Sequence, residues 1–387
     1  MVYFDNAATT QVKKEVLDAM LPVFTENFGN ASSTYTTPGI DARRSLTWAR
    51  QTIAAAFNAS EREIYFTAGG SESDNWAIKG YALKNKAKGN HIITTNVEHH
   101  AVLHTCQFLE KNGFEVTYVP VDEYGMVHVE DIEKAIKDNT ILVTVMFANN
   151  EIGTINPIAE IGALCRERKI AFHTDAVQAA GAVPIDVQSM NIDMLSVSGH
   201  KLHAPKGIGV LYVKKGLRLD NLIHGGAQES GRRAGTENVP GAVGLATALK
   251  LAVDHMEEKT AKLVAMRDKI IDIILAEVPY VRLNGHRTER LPNNVSICFR
   301  YIEGESLLLS LDMKGYVVSS GSACTSGSLD PSHVLLGIGL PHEIAHGSMR
   351  VTLSDMNTME EVDSFLAELP PIVKRLRSMS PLFEGVE

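Results

Sequence analysis

An α/β fold is what this sequence predicts: a large domain with a mainly parallel seven-stranded sheet between helices, plus a smaller α+β C-terminal domain. Three observations lead there. Up to about residue 215, short apolar runs alternate with amphipathic helical patterns. Several of those runs are apolar at nearly every position, as strands buried on both faces of a parallel sheet must be. Beyond a long helical pattern at 241–276, strand and helix patterns mix without that regular alternation.

Taken in order, strands are expected at 64–67, 91–95, 115–120, 141–147, 170–174, 194–198 and 209–213. Helical stretches at 101–112, 129–137 and 158–168 lie between them. The 241–276 helix bridges to strands at 294–299, 316–319 and 349–353, accompanied by helices at 303–312 and 359–378. The expected division is a large domain over 14–255 and a small domain built from 1–13 together with 256–387.

Composition narrows the function classes. At 44% hydrophobic and 21% charged residues, the 387-residue chain is ordinary globular material with ample length for a large core. A formal charge of −9 argues against nucleic acid as a direct partner, which demands a clustered basic surface. No apolar run approaches the length of a membrane span, and no basic-then-apolar signal opens the chain. Cys106, Cys165, Cys298 and Cys324 are scattered, so they form neither a disulfide framework nor a CxxC metal site. A reduced, cytoplasmic setting is expected.

Ligands of open α/β sheets bind at the carboxyl ends of strands, so the residues that follow each strand carry the chemistry. After 64–67 comes Ala68-Gly69-Gly70-Ser71, opening a helix whose free amides and dipole suit an anion. Alone, that is more simply a glycine turn with Ser71 capping a helix. After 170–174 comes Asp175, either a helix cap or a carboxylate for a pyridinium nitrogen. After 194–198 comes Gly199-His200-Lys201. A desolvated lysine there can form a Schiff base with an aldehyde, although any single loop lysine is more commonly just solvated. Ser198 and His200 can donate to a phosphate. Val97-Glu98-His99-His100 supplies a ring to cover a flat cofactor. Phosphate cradle, ring-nitrogen partner and aldehyde-binding lysine together describe one cofactor, pyridoxal 5'-phosphate.

At these residues the chain resembles the cysteine desulfurases, the NifS/IscS type of fold-type I pyridoxal enzymes. The resemblance runs nearly end to end, from Tyr3-Phe4-Asp5-Asn6-Ala7-Ala8 through Asn149-Asn150-Glu151, His173-Thr174-Asp175-Ala176-Val177-Gln178 and Ser198-Gly199-His200-Lys201. It continues in Arg233-Ala234-Gly235-Thr236-Glu237-Asn238, Ser322-Ala323-Cys324-Thr325 and Ser348-Met349-Arg350-Val351. It implies that Lys201 holds the cofactor, His99 stacks on its ring and Asp175 pairs with the ring nitrogen. Asn150 and Gln178 would lie near the ring hydroxyl and substrate, and Gly70, Ser71, Ser198 and His200 on the phosphate. Thr236 would reach the phosphate of a partner subunit, which implies a homodimer. Arg350, assisted by Asn30, would bind the carboxylate of L-cysteine. Cys324 would accept the sulfur and hand it to an acceptor protein, an iron–sulfur scaffold or a tRNA-thiolation enzyme. Departures from the family pattern are Tyr35 for a usual histidine, Asp74 for a common asparagine, Ser230 for arginine and Ser354-Asp355 for Gly-Arg.

The setting of Cys324 fits that role, because its small and polar neighbours cannot pack a core. Cys106, Cys165 and Cys298 lie in helix or strand patterns and read as structural. Two alternatives stand beside this reading. A selenocysteine lyase would use the same site. His342-Glu343-Ile344-Ala345-His346 matches the H-E-x-x-H of zinc peptidases, but Pro341 and Gly347 bracket it and no third histidine follows at metzincin spacing. His100 and His104 are also four apart on a helical pattern, most simply a surface or core pair.

Overall fold

The structure, a computed structural model, describes residues 1–320 and 331–383. The chain opens with a two-residue strand, β1 (Val2–Tyr3), which pairs in parallel with Tyr316–Val317 far along the sequence. Seven strands then form the large sheet: β2 (Ile64–Thr67), β3 (His91–Thr95), β4 (Glu115–Val119), β5 (Thr140–Thr144), β6 (Ala171–Asp175), β7 (Met194–Ser198) and β8 (Gly209–Val213). Their order is β2-β8-β7-β6-β5-β3-β4. β8 runs antiparallel to both neighbours, while the other ladders are parallel. Six strands therefore point one way. The chain segments leaving β2, β3, β5, β6 and β7 emerge at a single edge, where α/β sheets hold their ligands.

Burial explains the composition of these strands. Every residue of β2, β3, β5, β6, β7 and β8 is buried, whereas β4 at the sheet edge is mostly half-buried. Both faces are covered, one by a cluster around Ile53, Phe57, Val143, Phe172 and Leu249, the other around Trp76, Ile92, Leu109 and Leu211. The expected strand at 141–147 stops earlier as a regular ladder. Even so, Val145 and Phe147 still donate to the carbonyls of His173 and Asp175 at 3.2 and 2.8 Å.

The expected single helix at 241–276 is two helices, Val239–Asp254 and Met256–Glu277, parted at His255, whose ψ of 18° leaves the helical range. The second helix packs with Gly304–Asp312 and Met359–Ser378 on a three-stranded antiparallel sheet. That sheet is formed by β9 (Val281–Leu283), β10 (Asn294–Phe299) and, beyond β11 (Tyr316–Val317), β12 (Ser348–Thr352). Phe4 from the chain start is wholly buried in this second core, beside Phe299 and Phe365. No helix among the described residues is long and apolar enough to cross a membrane.

Candidate active site

A cleft of about 730 Å³ opens at the carboxyl edge of the large sheet. It collects what the strand ends were expected to deliver: Gly70 and Ser71 after β2, His99 after β3, Asp175 at the end of β6, and Ser198, His200 and Lys201 at and after β7, joined by Asn150 and Gln178, which the resemblance had assigned. Arg350, from β12, closes it on the side of the second core.

The Gly69-Gly70 turn is there because nothing larger fits. Gly69 has φ +153°, and a Cβ on Gly70 would sit 2.7 Å from Val177 Cγ2 and 3.3 Å from Ser198 Cβ. A continuous helical run starts at Gly70 and continues to Asn85, so its first amides face the cleft without intrahelical acceptors. Glu72 braces the turn: it accepts from the Ala68 amide at 2.8 Å and from Arg233 Nε at 2.9 Å.

Lys201 Nζ donates to the carbonyls of Ala7 and Ala8 at 2.6 and 2.8 Å. The N-terminal segment is held there by the amide of Thr10, which donates to the His200 carbonyl at 2.9 Å. These carbonyls are a part of the site that strand-end reasoning missed, because the first ten residues reach it only through tertiary packing. The opening motif Asn6-Ala7-Ala8-Thr9 was the available signal.

Asp175 Oδ1 accepts from the Val177 amide at 2.9 Å. One ligand-type atom each from Asp74, His99 and Asp175 lies within 4.8 Å of the others. Two carboxylates at that separation repel by at least about 3 kcal/mol at an effective dielectric of 20, so one holds a proton. Burial raises both, and the Asp175 carboxylate further opposes ionisation of Asp74. Asp175 has the Val177 amide and the nearby Lys201 to support its charge, so Asp74 keeps the proton. His173 Nε2 stands 3.7 Å from Asp74 Oδ1, a distance that would suit an ion pair. Burial, however, pushes His173 down to about 3, and its nitrogens are engaged by Thr144 and Ser196 hydroxyls, so the imidazole is neutral. Asp74 Oδ1 is left buried without a hydrogen-bond partner among the described residues. Asp74 and Lys206, both lining the cleft, were not among the residues assigned to it from sequence.

His99 caps the helix His100–Glu110: its Nδ1 accepts from the Ala101 amide at 3.1 Å. Burial first, then the Lys201 ammonium, pushes it down to about 4. The ring is therefore neutral with its proton on Nε2. His200 is likewise pushed down to about 4 by burial and by Lys201 and Lys206. Arg350 donates Nη2 to Asp5 at 2.8 Å and Nη1 to the Asn150 carbonyl at 3.0 Å, which leaves Nε buried and without a hydrogen-bond partner among the described residues.

Two assigned residues are not brought to this cleft. Asn30 is exposed, and its side chain accepts from the Ser32 amide at 2.9 Å. Thr236 lines a separate small cavity with Arg233, Gly235 and Glu237. Cys324 lies outside the described residues. The HEIAH segment forms a helix of only four residues, His342–Ala345, with His342 and Glu343 exposed.

The profile of the Aminotransferase class-V family matches residues 2–365. The chain is 59% identical over 381 residues to the cysteine desulfurase IscS of Methanosarcina thermophila, covering 98% of this chain and 94% of that one. It is 60% identical over 385 residues to the IscS of Clostridium botulinum (strain Hall), covering 99% and 97%. The chain belongs to the cysteine desulfurases of the class-V aminotransferase family. Among solved structures, a NifS-like protein superposes with a TM-score of 0.91 at 38% identity, covering 97% of this chain and all of that one. SspA, solved in complex with cysteine, superposes with a TM-score of 0.81 at 39% identity, covering 92% of this chain and all of that one.

Members of this family depend on pyridoxal phosphate, and the cleft fits that group. The Gly70 cradle has no room for a side chain, the helix amides and His200 suit a phosphate, and a buried carboxylate suits a ring nitrogen. Lys201 reaches the same space, and the unpaired Arg350 Nε marks one more anion position.

Proposed function

We propose that this enzyme converts L-cysteine to L-alanine and transfers the sulfur to Cys324. The observation that carries the reading is the meeting of Lys201, buried Asp175, the Gly70–Ser71 helix start and Arg350 in one cleft. Pyridoxal phosphate supplies an aldehyde that takes the substrate amine and a conjugated ring that accepts the electron pair released at Cα.

The chain's own groups do the rest. Gly70, Ser71, Ser198 and His200 hold the phosphate. Asp175, kept anionic beside neutral Asp74, holds a proton on the ring nitrogen. Asn150 and Gln178 would contact the ring hydroxyl and substrate; Gln178 is oriented by donating to the Ala7 carbonyl at 3.2 Å. Lys201 Nζ is the base for the Cα proton and returns a proton to Cα before alanine leaves. Arg350 binds the substrate carboxylate and so fixes which Cα bond faces Lys201. Neutral His99 covers the ring and has its Nε2 proton available at the substrate sulfur. The Cys324 thiolate attacks that sulfur: the Cβ–S bond breaks, an S–S bond forms, and the pair left on Cβ takes a proton to give the methyl of alanine. The resulting persulfide passes to a sulfur-acceptor protein, an iron–sulfur scaffold or a thiolation enzyme.

A homodimer suits the exposed apolar side chains early in the chain, among them Phe24, Phe28 and a 98% exposed Tyr35. Thr236, outside its own subunit's cleft, would then serve the partner's. The separate cores support the division into 14–255 and 1–13 with 256–387.

The test is a visible absorption spectrum of the purified protein, followed by L-cysteine with a thiol reductant and assays for alanine and sulfide. A cofactor band with equal alanine and sulfide is expected. A protein that stays colourless with added pyridoxal phosphate and ignores cysteine overturns the reading.

A further inference from the structure

The helix His100–Glu110 carries imidazoles at His100 and His104, one turn apart. Their rings stack with centroids 4.9 Å apart and planes at 26°. His333, which opens the short helix His333–Gly337, stands against His100 at 4.7 Å. His333 Nε2 meets the Glu98 carbonyl at 2.9 Å; since a carbonyl only accepts, Nε2 carries the proton and Nδ1 is a bare lone pair. No described residue hydrogen-bonds to the rings of His100 or His104. Beyond the field that His104 and His333 exert on His99, the cluster has no role assigned above in the chemistry of the cleft.

We propose that His100, His104 and His333 form a binding site for one borderline divalent cation, with Zn²⁺ as the type. The spacing of His100 and His104 is that of helical zinc pairs. Three imidazoles without a carboxylate select zinc, cobalt, nickel or copper over magnesium or calcium, and three ligands leave a fourth position to water. As stacked, the three nitrogens do not converge; among the described residues the trio that does is Asp74, His99 and Asp175, which belongs to the cofactor cleft. Loading therefore turns the rings from stacked to converging, a movement open to exposed His104. The bound ion ties the helix that follows His99 to the segment beginning at Ser332, whose hydroxyl is already anchored on Glu151.

The experiment uses holoenzyme carrying Cys324→Ser, so that no thiolate competes, titrated with Zn²⁺ against a chromophoric chelator and with Co²⁺ by visible absorption. One ion per chain is expected, with the intense Co²⁺ bands of a tetrahedral site. His100→Ala, His104→Ala and His333→Ala should each weaken binding by at least about tenfold, since even outer-shell changes cost that much. The cofactor absorption should stay unchanged in all three. No ion bound, or binding unchanged by these substitutions but abolished by His342→Ala, overturns the proposal.

Discussion

Adding one methyl group at Gly70 tests whether the cleft is a phosphate cradle. In Gly70→Ala the new Cβ falls 2.7 Å from Val177 Cγ2, against about 3.5–4.0 Å for an ordinary carbon contact. Val177 lines the cleft, so in the cofactor-free protein its side chain can relieve the overlap by moving into the cleft. When the cofactor binds, that relief is lost and the overpacking is felt, at about 1–3 kcal/mol. The Val177 amide also orients Asp175, so the strain reaches the ring-nitrogen partner as well. At about 1.4 kcal/mol per decade, cofactor affinity should fall roughly 5- to 150-fold. The assay is titration of cofactor-free protein with pyridoxal phosphate, followed by quenching of intrinsic fluorescence, beside a thermal melt of the cofactor-free form. The melt should hardly move, because alanine is the better helix former at a helical position. Gly339→Ala, at φ +84° with open space around it, is the control that should lower the melt and leave the affinity alone. Affinity of Gly70→Ala within twofold of the parent refutes the reasoning.

Three further predictions concern the same site and its supports. Lys201→Ala should abolish the cofactor absorption band of the parent, whereas Cys324→Ser should keep the band and lose alanine formation; normal turnover by Cys324→Ser means another group takes the sulfur. Arg350→Ala leaves Asp5 without its buried partner and should lower stability by about 3 kcal/mol in denaturant titration, while Arg350→Lys should chiefly raise KM for cysteine. Glu98 is buried, which raises it to about 8, so its folded form binds a proton that the unfolded chain releases above about 4.5. The parent therefore loses stability as pH rises through that window, and Glu98→Gln does not. The melting-temperature advantage of Glu98→Gln should widen from about pH 5 to pH 8; a constant gap means Glu98 is ionised in the fold.

Much of the fold and the site was legible because it is local. Strands buried on both faces are rich in apolar and β-branched residues, so β2, β3, β7 and β8 matched the expected runs residue for residue. Ligands of open α/β sheets sit at the carboxyl ends of strands, so Gly70, Asp175 and Lys201 could be singled out there, and the structure gathers all three in one cleft. The break at His255 was not visible, because the helical pattern runs on through it and only the change of packing partner stops the helix.

What the tertiary structure alone decided are relations between distant residues and the charge states that follow from them. The carbonyls of Ala7 and Ala8 receive Lys201 across nearly two hundred residues, and Asp5 meets Arg350 from the opposite end of the chain. Asn30, assigned by resemblance, lies exposed on the surface, and Thr236 lines a separate small cavity. That Asp74 holds a proton while Asp175 holds a charge depends on their shared burial and on which donors reach each. Sequence determines which side chains are present and their local periodicity. A pKa or an ion pair depends on distance and desolvation, and those exist only once the chain has folded.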